Sequence, residues 1–156
     1  MRVFSEFEKK IIRKIISSEG DILLKPNDYI IGLMNISSEV NIWGREINYK
    51  LKPNETHYYK IEIKGEKPKL YDDFFVLRKR LNIANDLFNY LISNNYILQS
   101  FGGNVAGLVL NNPKTNLQAD NIETKELYIN NNLNEFLEKC SYYYDPTESL
   151  KDLLSN

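Results

Sequence analysis

Glu62-Ile63-Lys64 is the triplet in this chain whose residue types and spacing best suit chemistry. Two residues apart on a strand, a carboxylate and an ammonium share one face. A carboxylate so placed is a candidate ligand for a divalent ion such as Mg2+. Glu46, on the preceding strand, offers a second metal ligand, and Glu6 or Glu8, on the first helix, a third. The same acid-any-lysine pattern recurs at Glu8-Lys9-Lys10 and Glu123-Thr124-Lys125, so the triplet alone is not selective. Lys60, Glu62 and Lys64 also fit the wet face of a half-exposed strand, where cross-strand ion pairs are common.

Other chemistry-bearing residues are few. His57 is the single histidine and Cys140 the single cysteine. A histidine opening a strand after a turn is usually solvated, and a cysteine on an apolar helical stripe is more often a small core residue than a nucleophile. Gly102 and Gly107 have the spacing of a phosphate-binding loop, but Leu108-Val109 stand where lysine and serine or threonine are required. They read as hairpin-turn glycines. Arg78, Lys79 and Arg80, with Lys64, Lys67, Lys69, Tyr58 and Tyr71, compose a basic and aromatic stretch of the kind that binds nucleic acid. Tyr142, Tyr143 and Tyr144 form a run too dense to face inward together. Tyrosine buries area while keeping a polar tip, which suits a protein interface.

The elements that must position these residues follow from periodicity. Phe4, Phe7, Ile11, Ile12, Ile15 and Ile16 mark a helix ending near Gly20. After the turn at Pro26-Asn27-Asp28, the chain reads as three strands. They are Tyr29 to Ile36, Val40 to Leu51 with a bulge or turn near Gly44, and His57 to Lys64. Phe74, Leu77, Leu81, Ala84, Phe88 and Leu91 define a long amphipathic helix, capped at Asp72 or Asp73. Tyr96 to Phe101 and Val105 to Leu110 read as a hairpin, Glu126 to Ile129 as a short strand. Leu133, Phe136, Leu137 and Cys140 mark a short helix, and Asp145-Pro146-Thr147-Glu148 the start of another. Strands in a continuous block joined by short turns imply antiparallel pairing, hence a single α+β domain over 1–156.

Helix, three strands, helix, strand resembles the core order of restriction-endonuclease-like nucleases, which carry an acid-any-lysine triplet on the third strand. The resemblance implies a divalent-metal nuclease using Glu46, Glu62 and Lys64, in which the acids bind the metal and the lysine helps position and activate the attacking water. The proline–aspartate signature that precedes the family's triplet is missing, since Pro53-Asn54-Glu55 stands there. The order of helix and hairpin from Asp72 to Leu110 is similar to a winged-helix recognition helix and wing, which implies nucleic-acid contact through Arg78, Lys79 and Arg80.

Composition weighs against both. Lys plus Arg number 20 and Asp plus Glu 21, a balance unlike the basic excess of dedicated nucleic-acid binders. One cysteine excludes an intrachain disulfide. The start, Met1 to Glu6, has no signal-peptide pattern, and the apolar runs Ile30 to Met34 and Val105 to Leu110 are too short to span a bilayer. These features lead to an expected cytoplasmic location. Heavy use of Asn, Ile, Lys and Tyr has the style of an AT-rich bacterial or phage genome. With no coherent acid, base, nucleophile or metal set, the leading expectation is a non-enzymatic protein-interaction module. It would bind another protein, or itself as an oligomer, through Tyr142 to Tyr144 or the exposed side of the strands.

Overall fold

Hydrophobic residues alternating with polar ones from Lys60 to Lys64 build a strand with one dry and one wet face. The computed structural model, which describes residues 2–18, 25–46, 57–102, 108–111 and 121–154, places that strand inside a sheet. The elements in order are α1 (Glu6–Ser17), α2 (Pro26–Tyr29), a 3-10 turn (Gly32–Met34), β1 (Glu39–Glu46), β2 (His57–Glu66), α3 (Lys67–Ser93), β3 (Ile97–Phe101), β4 (Leu108–Asn111), β5 (Ile122–Leu127), α4 (Asn131–Lys139), β6 (Tyr142–Pro146) and α5 (Glu148–Leu153). The fold is α+β. A four-stranded sheet has the order β4-β1-β2-β5, and β3 pairs with β6 in a separate ribbon. All pairings are antiparallel.

The inner face of the larger sheet carries Val40, Ile42, Tyr59, Ile61, Ile63 and Leu127, all buried. Against it lies the first half of α3, with Leu70, Leu77 and Leu81 fully buried. The second half, through Ala84, Phe88 and Leu91, meets α4 and the ribbon. The Phe88 and Tyr144 rings sit 5.0 Å apart there. At 27 residues, α3 is about 40 Å long, enough to serve both layers. The α1 residues Ile11, Ile12 and Ile15 pack beside it, and Ser5 caps α1 by accepting from the Glu8 amide at 3.2 Å.

Three expectations need correction. The segment from Tyr29 to Ile36 is not a strand. Pro26 opens a helical turn, the Asp28 carboxylate accepts the Lys25 amide at 2.8 Å, and a 3-10 turn follows. Ile30, Ile31 and Met34 are buried, and a short continuous apolar run reads equally as strand or helix. Asn35, in the left-handed region at φ 57°, ends the helical path. Next, β1 pairs with β2 without interruption from Glu39 to Glu46, so no bulge lies at Gly44 on that side. The register shift falls between Val40 and Asn41, toward β4. Residues 47–56, the rest of the expected strand, lie outside the described residues, as does Gly20. Finally, the two strands expected as a hairpin both form, but β3 joins β6 while β4 joins β1.

Helix α3 begins at Lys67, ahead of the aspartates, because Pro68 is pre-shaped for a first turn. Asp73 does something else. Its Oδ2 accepts from the Ser38 amide at 2.9 Å and hydroxyl at 2.6 Å, and from the Ser37 amide and hydroxyl at 3.2 Å each. This fastens the entry of β1 to the helix. Gly65 on β2 makes room, since a Cβ there would collide with the Ser38 hydroxyl. Asp73→Ala leaves buried Ser38 donors without their acceptor and is expected to cost about 1–3 kcal/mol in urea unfolding. Gly65→Ala displaces the same hydroxyl, so the double variant is expected to lose less than the sum of the two single losses.

Candidate functional site

The wet face of the four-stranded sheet holds the triplet. Glu62 stands opposite Asn41 on β1 and Glu126 on β5, and Lys64 opposite Glu39 and Thr124. The Glu62 carboxylate is held by Lys60 at 2.7 Å, and Asn41 donates to Glu39 at 3.1 Å. Alternation did put Glu62 and Lys64 on one face. Glu46 pairs with His57, five residues along β1 from Asn41. At strand rise this separates the Glu46 and Glu62 backbones by roughly 17 Å, well beyond sharing one ion. Glu8 is engaged by Arg2 at 2.8 Å, which also reaches Asp86 at 3.1 Å, and α1 packs on β6, α3 and α5 rather than on this face. Among the described residues, no group of three or more His, Cys, Asp or Glu is arranged to hold a metal. Thus the residues proposed for Mg2+ are not gathered. What the face shows is polar pairing along each strand, Lys60 with Glu62 on β2 and Asn41 with Glu39 on β1.

The basic run on α3 is divided by its own packing. Arg80 donates to the Met34 carbonyl at 2.8 Å, closing the 3-10 turn, and lies over the Phe7 ring at 5.1 Å. Arg78 sits over Phe75 at 5.6 Å and is exposed, as is Lys79. The helix buries leucine and phenylalanine along most of its length, and β3 and β4 belong to different sheets. The recognition-helix-and-wing arrangement is therefore absent from these elements.

Cys140 follows α4 directly and is fully buried; burial pushes its thiol up, keeping it neutral. A neutral, buried thiol is a poor nucleophile. His57 opens β2 opposite Glu46.

The tyrosine run lies in β6, not in a loop between helices. Its three members have three different settings. Tyr144 is buried against Phe88. Tyr142 is half-buried and packs edge-on against Phe101 at 5.5 Å. Tyr143 is half-buried, with the Lys25 ammonium 5.6 Å from its ring centre. Its ring also rests on Gly102, where a Cβ would have no space. Sequence reasoning missed the residues across the ribbon. Leu98 and Phe101 are 59% and 64% exposed, on opposite faces of a strand reading Ile-Leu-Gln-Ser-Phe. The available signal was that composition, a five-residue strand without a charge. Exposed apolar side chains thus stand beside half-buried tyrosines on this ribbon.

Two solution properties follow from these environments. Cys140 is expected to resist a thiol reagent in the native protein and to react fully in denaturant. Burial raises the Tyr59 hydroxyl to about 12, and raises Tyr29 and Tyr144 further. A raised folded value means stability that is complete below the ordinary tyrosine value, near 10, and lost as pH climbs through the folded value. In an alkaline titration followed by ultraviolet absorbance, these three tyrosines are expected to ionise only as the protein unfolds. Comparison of the chain with protein-family models, with curated proteins and with solved structures finds no match in any of the three.

Proposed function

We propose that this chain is a non-enzymatic protein-interaction module whose contact surface is the β3–β6 ribbon. One observation carries the reading: Leu98 and Phe101 stand exposed on an uncharged strand, flanked by half-buried Tyr142 and Tyr143. Aromatic and aliphatic side chains of this kind supply most of the affinity of protein contacts, because they lose water at small conformational cost. Tyr144 contributes differently, by anchoring the ribbon to Phe88 so that the surface is held rigid.

The setting belongs to the same reading. No helix among the described residues is long and apolar enough to cross a membrane. One buried, unpaired cysteine suits a reducing compartment, and the Asn-, Ile-, Lys- and Tyr-rich composition suits a bacterial or phage source.

The test pairs sedimentation velocity with selection of extended peptides from a displayed random library. Leu98→Ser with Phe101→Ser is expected to shift unfolding stability by about 1 kcal/mol or less, both side chains being mostly exposed. The same pair is expected to abolish self-association and peptide capture alike. Association and capture that survive the double substitution would place the contact surface elsewhere.

A further inference from the structure

The backbone of β3 has a second side. Thr147 donates to the Tyr96 carbonyl at 3.0 Å, and Gly102 donates to the Ser141 carbonyl at 2.8 Å. With Ile97 opposite Pro146 and Phe101 opposite Tyr142, these bonds fix the phase of the ladder. Even-numbered residues from Tyr96 to Gly102 bond to β6. Antiparallel pairing alternates, so Ile97, Gln99 and Phe101 direct their N–H and C=O groups to the opposite edge. Gln99, Ser100 and Phe101 are exposed, and no strand pairs with that edge among the described residues.

Sheet edges are usually blunted by charge or proline. The β5 edge of the larger sheet follows that practice: Glu123, Lys125 and Glu126 lie along it, with Glu123 paired to Lys67 at 3.3 Å. Strand β3 has neither device.

Resting on the reading of the ribbon as a contact surface, we infer that β3 is a pairing edge for β3 of a second copy of this chain, antiparallel, with the two-fold axis at Gln99. In that register Gln99 meets Gln99 of the second copy and Ile97 meets its Phe101. All three outward-facing residues of each strand then exchange hydrogen bonds. Leu98 falls opposite Ser100 on the other face. The two-fold brings Gln99 against its own copy, where a charge would meet its like, and Gln99 is neutral. The uncharged strand leaves no charge to be buried or repelled at the other positions. The outcome is a continuous ribbon of four strands, β6-β3-β3-β6. Five residues per edge make a small interface, so association is expected in roughly the micromolar range or weaker.

The test is a charge swap read by sedimentation velocity. The native chain is expected to dimerise reversibly. Gln99→Lys and Gln99→Glu are each expected to weaken self-association by about tenfold or more, since each sets like charges together. Mixed in equal amounts, the two variants are expected to recover a heterodimer. Gln99 is exposed and its backbone makes no β6 hydrogen bond, though it stands opposite buried Tyr144; each variant's unfolding midpoint is measured alongside and is expected to stay within a few degrees of the native value. As a positional control, Gln99→Cys is expected to form an intermolecular disulfide under oxidation, because directly opposed residues lie about 5.5 Å apart between Cα atoms; Glu126→Cys is not. A native chain that stays monomeric overturns the inference, as does a dimer indifferent to all three Gln99 changes. Peptide capture that depends on Leu98 and Phe101 in a strictly monomeric chain overturns this pairing while leaving the ribbon reading intact.

Discussion

Burial of one side of α3 is the constraint on which the rest depends. Leu70, Leu77 and Leu81 seat the four-stranded sheet on the first half of the helix, and Phe88 and Leu91 seat α4 and the ribbon on the second. Each buried Leu or Phe contributes about 1.5–3 kcal/mol of transfer free energy, so the helix is fixed to both layers by several such side chains. A two-stranded ribbon is at best marginal in water by itself. The contact of Tyr144 with Phe88 seats the β3–β6 ribbon on the helix. At the other end, the four donors gathered on Asp73 tie the entry of β1 to the same helix.

Much of this was legible in the residues. The three- and four-residue spacing of Phe74 to Leu91 marked α3, and strict alternation from His57 to Lys64 marked β2, because in both cases one face meets the core and the other water. Tyr29 to Ile36 misled for a physical reason. When every side of a short segment is apolar, periodicity no longer distinguishes helix from strand, and the decision passed to Pro26 and to the Asp28 cap. Partner choice for β3 and β4 was beyond local signals, since the strands pair with β6 and β1, far away in the chain. The tyrosine run, expected between two short helices, lies in a strand, β6. Only the register shows that Tyr144 turns inward, and only burial shows that Leu98 on one face of β3 and Phe101 at the end of the other stand exposed.

The metal reading illustrates how a correct local inference fails at the next level. Glu62 and Lys64 do share a face, but the residues opposite Glu62 are Asn41 and Glu126, and Glu46 is drawn away by its pairing with His57. Lys60 already neutralises the carboxylate at 2.7 Å. Likewise the basic run on α3 loses Arg80 to the Met34 carbonyl. In both places charges that look available in sequence are engaged in holding the surface of the fold together.

The ribbon differs, because among the described residues no strand pairs with the outward edge of β3, and Leu98 and Phe101 are exposed. Residue-resolved amide hydrogen exchange along β3, recorded across a range of protein concentration, probes this most directly. Edge pairing gives alternating protection in dilute solution, with Leu98 and Ser100 slow and Gln99 and Phe101 fast, and uniform slowing as concentration rises. Alternation that persists unchanged at every concentration, with Gln99 and Phe101 always fast, contradicts it.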